Sequence, residues 1–193
     1  MALNTVVIIG SVRNSREGIK AAKFIINELK RRKKHKITFI DPKEYNLPML
    51  DKRIFDYPKG KAPEKLKKLS KVFKSADSFV IVSAEYNSTI PPGLTNMLDH
   101  FYPEFNYKPS GIICYSGGSY GGSRAQVHLR SFLVELGMTP ILNSILIPEI
   151  QNAFDNNGKP FDEKYHKRAD KFLAQLEWYA NALKEARKKA TPP

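Results

Sequence analysis

The residues that could do chemistry in this sequence lie in three short segments. The first, at 10–16, reads GSVRNSR and holds Ser11, Ser15, Arg13 and Arg16. Glycine lets a backbone approach a ligand closely, and arginine pairs with phosphate oxygens through parallel hydrogen bonds. A helix that begins directly after the segment would add its first N–H groups to an anion site. The segment therefore predicts a phosphate pocket, although its spacing matches neither the P-loop nor the dinucleotide-binding glycine motif.

The other two segments predict contacts with a flat ring. Residues 84–93 read AEYNSTIPPG, and an aromatic residue beside a carboxylate and a carboxamide can frame a heteroaromatic ligand. Irregular backbone there supplies N–H and C=O groups to the polar edge of such a ring. Residues 116–124 read SGGSYGGSR, where four glycines let the backbone pass close to a ligand.

These segments need elements to position them, and the sequence predicts a regular alternation. Short apolar runs predict buried strands at 5–9, 37–40, 78–83, 110–115 and 139–147. Apolar residues at helical spacing predict helices over 16–34, 63–75, 91–101, 123–136 and 162–188. The pattern predicts one α/β domain over 1–193, a doubly wound five-stranded parallel sheet with helices on both faces. The three segments then follow strands one, three and four, where such sheets bind ligands.

Each segment also has an interpretation that needs no ligand. The first could be a turn in which Ser15 caps the helix and the arginines are solvated. The second could be a turn ahead of a proline-started helix, and the third a flexible loop. Three ligand-like segments at the three expected strand ends favour a common site over three separate coincidences.

The chain resembles the NADPH-dependent FMN reductase family, a flavodoxin-like group that includes azobenzene, chromate and quinone reductases. The resemblance covers residues 4–150 and is carried by four stretches: Gly10-Ser11-x-Arg13, Glu85-Tyr86-Asn87-x-x-Ile90-Pro91, Leu94-x-Asn96-x-Leu98-Asp99 and Gly121-Gly122. The chain departs from the family pattern at Ala84, where proline is common, and at Thr95, where lysine is common. The spacing at Pro92-Gly93 is also one residue longer.

The resemblance implies a flavodoxin-like reductase that binds FMN and uses NADPH or NADH. It implies that Ser11, Arg13 and Ser15, with Arg16 beside them, hold the FMN phosphate. It implies that the isoalloxazine lies between two groups of residues: Ala84, Glu85, Tyr86, Asn87 and Ser88 on one side, and Ser116, Gly117, Gly118 and Tyr120 on the other. A backbone donor from 86–88 would tune the flavin, and no side chain is required as a catalytic acid or base.

The same resemblance implies how the reaction runs and how the protein assembles. Hydride passes from NADPH to the flavin, and electrons then pass in a ping-pong order to a quinone, azo, metal-oxyanion or flavin acceptor. The family implies a homodimer or tetramer, and we expect contact surfaces at 101–105 and in the proline-punctuated stretch 42–60. The connection 42–63 is expected to be irregular, and long connections of this kind are usually functional or contact surfaces.

Composition excludes several other classes. The sequence has no apolar run long enough to cross a membrane and no signal-peptide pattern, so we expect a cytoplasmic protein without a membrane partner. The single cysteine, Cys114, excludes an intrachain disulfide framework and lies in an apolar run that predicts an inert buried thiol. The histidines are scattered, so we expect no metal site.

The net charge of +13 leaves a second interpretation open. Basic residues concentrate at 30–36, 59–74 and 184–189. Such runs are typical of nucleic-acid or acidic-surface patches, which would make the chain a basic flavodoxin-like binding module without redox catalysis. They are also typical of solvated helix ends, where the helix dipole favours cations. No nucleic-acid-binding motif accompanies the runs, so we favour helix ends, and a nucleic-acid partner is not expected.

Overall fold

The computed structural model describes residues 2–190 and places five parallel strands in one sheet, in the order β2-β1-β3-β4-β5. The strands are β1 (Leu3–Ile9), β2 (His35–Ile40), β3 (Ser78–Ala84), β4 (Lys108–Tyr115) and β5 (Met138–Ile147). This confirms the predicted doubly wound α/β class. Continuous β-branched runs bounded by Gly, Pro or Asp are a strong signal for strands that are buried on both faces.

Six helices cover the sheet: α1 (Gly18–Arg32), α2 (Pro42–Tyr45), α3 (Glu64–Ser75), α4 (Pro92–Asp99), α5 (Ser123–Glu135) and α6 (Lys164–Lys189). The short helix α2 falls in the stretch predicted to be irregular, together with a 3₁₀ turn at Ile54–Asp56. Asp41 caps α2 by accepting a hydrogen bond from the Lys43 N–H at 3.0 Å. An Asp-Pro pair is a known signal for the start of a helix, and here it starts one inside the connection that the sequence predicts to be irregular.

Neighbouring residues along a strand point to opposite faces of the sheet, and each face carries its own apolar layer. On one face Val7 and Ile9 of β1 pack with residues of α1 and α6, and on the other Val6 and Ile8 pack with α3, α4 and α5. Within residues 2–190, no helix combines the length and apolar composition needed to cross a bilayer.

The segment 101–105 belongs to the core and does not form the contact surface expected of it. The Phe101 and Phe105 side chains have no solvent exposure, and their rings lie 5.0 and 5.2 Å from that of Phe73. Glu104 is also buried and accepts a hydrogen bond from Ser70 Oγ at 2.6 Å. The aromatic residues Phe101 and Phe105 therefore pack under α3.

Part of the basic run 30–36 holds α6 in place. Arg32 forms an ion pair with Glu177 of α6, and the fully buried His35 ring lies 3.0 Å from the same carboxylate. Arg31 bonds Asp170 of α6 at 2.6 Å. Burial opposes ionisation of Glu177, but hydrogen bonds from Arg32 and His35 lower its pKa overall. The run is thus only partly the solvated helix end that was expected.

Candidate functional site

A cavity of about 280 Å³ opens at the carboxyl end of the sheet, where the connections after β1 and β3 diverge. It brings together most of the predicted site residues, namely Ser11, Arg13, Ser15, Arg16, Ala84, Glu85, Tyr86, Ser116 and Gly117. The other predicted residues, Asn87, Ser88, Gly118 and Tyr120, lie outside its lining. Two larger cavities, of about 430 and 720 Å³, contain none of the predicted site residues. The small cavity is therefore the candidate site, because it lies at the topological switch point.

The segment after β1 makes the floor of this cavity. The Gly10 N–H donates to the Val82 carbonyl at 2.8 Å, and Ser11 Oγ shares a hydrogen bond of 2.6 Å with the Tyr86 hydroxyl. The N-cap residue of α1 is Glu17, and it makes no side-chain capping bond. The alternative in which Ser15 caps the helix is therefore wrong. Among the described residues, no side chain caps the first N–H groups of α1, and an uncapped helix start next to the cavity favours an anion.

The two arginines of this segment have different roles. Arg16 is half-buried, forms an ion pair with Asp41 and donates to the Ser11 carbonyl at 3.0 Å. It therefore fixes the shape of the loop. Arg13 is exposed, and no acidic side chain among residues 2–190 pairs with its guanidinium. Arg13 is thus the uncompensated positive charge at the cavity.

The carboxylate of Glu85 is hydrogen-bonded to the start of α5. Its side chain is only 4% exposed, accepts hydrogen bonds from the backbone N–H groups of Arg124 and Ala125 at 3.1 and 3.2 Å, and pairs with the Arg124 guanidinium at 2.6 Å. Burial opposes ionisation, but these hydrogen bonds lower the pKa of Glu85 overall. The sequence predicts that this carboxylate contacts a ligand ring. In the structure it caps the amino terminus of α5 and also lies in the cavity wall.

Residues 86–89 form a tight two-residue turn. The Tyr86 and Thr89 backbones exchange hydrogen bonds of 2.9 and 3.0 Å, and Asn87 and Ser88 have φ values of 48° and 66°. Positive φ at both central residues is typical of a type I′ turn. The Tyr86 N–H is used inside the turn, so of the three N–H groups predicted as ligand donors only those of Asn87 and Ser88 are left.

The glycine segment after β4 is held by the segment after β5. The Glu149 and Ile150 N–H groups donate to the Gly118 and Ser116 carbonyls, both at 3.1 Å. Gln151 Nε2 donates to the Gly117 carbonyl at 3.2 Å. These bonds contradict the interpretation of a flexible loop.

The glycines of this segment serve two purposes. Gly122 has a φ of 80°, and a Cβ there would lie 2.7 Å from the Tyr115 nitrogen, so the fold itself requires glycine. A Cβ on Gly118 would meet nothing within 4 Å. Gly118 lies outside the cavity lining, and the space around it is open.

Sequence reasoning missed four lining residues: Glu17, Tyr115, Ile150 and Gln151. Tyr115 is the last residue of the run 110–115, which the sequence predicts only as a strand. Ile150 and Gln151 follow β5, and the rule that placed the other segments at strand ends could have found them. Glu17 is the N-cap residue of α1 and lies within the helix that the sequence predicts over 16–34.

Metal and thiol chemistry are not supported by the side chains at hand. Among residues 2–190, no group of three or more His, Cys, Asp or Glu side chains is placed to hold a metal ion. Cys114 is buried, and burial raises the pKa of its thiol far above the ordinary value. A buried thiol of this kind is inert, as the sequence predicted.

Comparisons with known proteins agree on one group. Residues 3–152 match the family model described as NADPH-dependent FMN reductase. The NAD(P)H-dependent FMN reductase PA1204 of Pseudomonas aeruginosa is 32% identical over 127 residues, which cover 63% of this chain and 69% of that protein. The quinone reductase of Escherichia coli K12 is 40% identical over 78 residues, or 38% of this chain and 42% of that protein.

A solved structure supports the fold over nearly the whole length. FerB, a flavoenzyme NAD(P)H:(acceptor) oxidoreductase from Paracoccus denitrificans, superposes with a TM-score of 0.78 at 22% sequence identity. The superposition covers 93% of this chain and 98% of the FerB chain.

Proposed function

Because this chain belongs to the NADPH-dependent FMN reductase family, we propose that its cavity at the switch point is the FMN site. The chain is an oxidoreductase that uses FMN with NADPH or NADH as the electron donor. When bound, FMN supplies the redox chemistry, because its isoalloxazine takes hydride from a nicotinamide and gives electrons to an acceptor.

The observation that carries the assignment is the anion site at the start of α1. The unpaired Arg13 guanidinium, the Ser11 and Ser15 hydroxyls and the helix N-terminus without a side-chain cap converge on one cavity. A phosphate ester is the ligand that such a donor set suits, and the residues present therefore fit FMN. The assignment of Arg16 changes in one respect, since its contribution is to hold the Ser11 carbonyl and Asp41 in place.

The ring of FMN would lie toward the 84–88 and 116–120 segments. The N–H groups of Asn87 and Ser88 would donate to its polar edge, and Gly117 and Gly118 leave room beside it. Tyr120 is 67% exposed with the Arg124 guanidinium 5.0 Å from its ring centre, and its ring would lie beside the outer edge of the flavin. Open space on this side would let nicotinamide and acceptor stack in turn.

A shared open side supports a ping-pong order with a small acceptor. The cavity is lined by charged and aromatic side chains as well as small residues, and donor and acceptor would use the same face of the bound ring. Among the acceptors that the sequence leaves open, a quinone has the support of relatives named quinone reductase and NADPH:quinone oxidoreductase. Azo compounds, metal oxyanions and free flavin are the competing acceptors.

The experiment is steady-state kinetics on the flavin-loaded protein. We expect a yellow protein whose extracted flavin is FMN, with NADPH or NADH oxidation that depends on an added quinone. Parallel double-reciprocal lines at several quinone concentrations would support the ping-pong order, whereas intersecting lines would exclude it. A colourless protein that cannot be loaded with FMN would refute the assignment of the site.

We also propose that the protein is a homodimer or tetramer in which 42–60 is a contact surface. Met49 and Phe55 are 79% and 53% exposed, and the stretch is fixed to α4 because Asn96 Oδ1 accepts from the Leu50 N–H at 2.9 Å. An ordered apolar surface of this kind is typical of an interface. Light scattering should give a multimer for the wild type and a monomer for Met49→Asp/Phe55→Asp.

Two other predictions from the sequence concern a nucleic-acid partner and the cellular location. The rival prediction, a nucleic-acid-binding module without redox catalysis, does not fit a chain that belongs to this reductase family. The cytoplasmic location stays a prediction, which cell fractionation would check.

A further inference from the structure

The hydroxyl of Tyr115 is a buried polar group that the protein does not satisfy. Tyr115 is the last residue of β4, is 5% exposed and lines the cavity, yet no group among residues 2–190 forms a hydrogen bond with its Oη. The nearby Ser11 Oγ instead shares its short hydrogen bond with the Tyr86 hydroxyl. A buried hydroxyl without a partner is costly, so it calls for a functional explanation.

The position of this hydroxyl links it to the start of α1. A Cβ on Gly18, the first residue of the helix, would lie only 2.0 Å from Tyr115 Oη. The hydroxyl therefore occupies the space that any other residue at 18 would fill, directly at the helix N-terminus. The preceding residue, Glu17, gives that terminus no side-chain cap.

The charges around the hydroxyl favour an anion between it and the loop. Arg16 is paired with Asp41, and the Glu17 carboxylate lies 2.5 Å from Lys20 Nζ, so both are largely compensated. No acidic side chain in the described part of the chain pairs with Arg13. Burial raises the pKa of the Tyr115 phenol far above its ordinary value. The phenol therefore stays protonated and is able to donate a hydrogen bond.

We propose that Tyr115 Oη donates a hydrogen bond to the phosphate of FMN and thereby makes the site prefer FMN over riboflavin. The proposal rests on the proposed function, since it requires that the cavity hold FMN. It assigns a binding role to a residue at the end of a core strand, where the sequence indicated only packing.

The test compares two flavins that differ only in the phosphate. Wild type and Tyr115→Phe, both freed of flavin, are titrated with FMN and with riboflavin while flavin fluorescence is followed, and the thermal unfolding of each flavin-free protein is recorded. We expect the FMN Kd of the variant to rise about tenfold, as for loss of a hydrogen bond to a charged group, and the riboflavin Kd to change by less than about twofold. The Tm of the flavin-free variant should be equal to or above that of the wild type, because phenylalanine removes the unsatisfied hydroxyl.

The matched control is Tyr45→Phe, because Tyr45 lies on α2 outside the cavity lining and should change neither Kd. An unchanged FMN Kd in Tyr115→Phe, an equal loss for both flavins, or a lower Tm of the flavin-free variant would each overturn the proposal. If the wild type itself binds FMN no more tightly than riboflavin, the phosphate site of the proposed function fails. That result is read from the wild type alone, so the two failures are distinguishable.

Discussion

At the scale of single residues, Arg13 and Arg16 have different roles although both lie in the loop after β1. Three positions apart in sequence, they look equivalent as phosphate ligands. In the fold, Asp41 neutralises Arg16 and leaves Arg13 exposed beside the helix start. An ion pair with a residue 25 positions away decides which of the two remains available.

Arg13→Ala should therefore weaken the retention of FMN. Loss of a charge-assisted hydrogen bond predicts an FMN Kd that is about 10- to 100-fold higher. The flavin-to-protein ratio after purification and a fluorescence titration would measure this. Lys33→Ala, an exposed cation at the end of α1, should retain wild-type flavin content. A full complement of FMN in Arg13→Ala would show that the phosphate lies elsewhere.

At the scale of elements, Glu85 connects the turn after β3 to the first turn of α5. Glu85→Gln keeps an acceptor but loses the charge at the helix N-terminus, and it should destabilise the protein by about 1 kcal/mol near neutral pH. Because the folded-state pKa of Glu85 is lowered, this contribution is present above the unfolded pKa and is lost as the pH falls through the folded pKa.

Urea unfolding at neutral pH and at about pH 4 would measure this difference, which should shrink at the lower pH. The exposed Glu185, whose carboxylate touches only Lys188 one turn away, provides the control Glu185→Gln with little expected change. A difference that stayed constant with pH would mean that the charge of Glu85 does not stabilise α5.

A second prediction at this scale concerns the glycines of the segment 116–124. Gly122→Ala should cost at least about 2 kcal/mol of folding free energy, since alanine is strained at a φ of 80° and its Cβ would meet the Tyr115 backbone. Gly118→Ala has open space around it and should leave the free energy of unfolding unchanged. If that space receives the flavin, Gly118→Ala should still weaken FMN binding. Denaturation and flavin titration of the pair separate the two roles.

How far the sequence could predict the molecule also depends on the element. Strands such as Thr5–Ile9 and Ser78–Ser83 are continuous apolar runs, so their place in the sheet followed from composition and connection rules. Helix α2 has only four residues, too few for a periodic pattern. The capping bond between Glu85 and α5 joins residues 40 positions apart, and the unsatisfied hydroxyl of Tyr115 depends on its neighbours in the fold. Contacts of these two kinds leave no local pattern.

At the scale of the whole molecule, much of the charge of +13 lies far from the site. The exposed Lys33, Lys34 and Lys36 flank the amino-terminal end of β2, while the cavity opens at the carboxyl end of the sheet. The strands that separate the two ends are about 20 Å long, which exceeds the screening length of about 8 Å at physiological ionic strength.

The kcat/KM for NADPH should therefore depend on salt in a particular way. It should fall as ionic strength rises from about 10 mM to about 150 mM and change little above that, because long-range attraction of the anionic donor is already screened. Replacing Lys33 and Lys34 by glutamate should remove the increase in kcat/KM for NADPH at low ionic strength without changing kcat. A steep decline continuing beyond physiological salt would place the responsible cations at the cavity itself.

The position of Ile150 and Gln151 in the cavity wall has a consequence for biosynthesis. A ribosome releases the chain from its amino terminus, so the phosphate loop near residue 11 emerges long before the wall that Gln151 completes. The apolar side of β1 that α6 covers stays open even longer, until the last helix leaves the exit tunnel and its Glu177 meets Arg32. If this cavity holds FMN, we expect the cofactor to bind only to a nearly complete chain, so that loading follows translation.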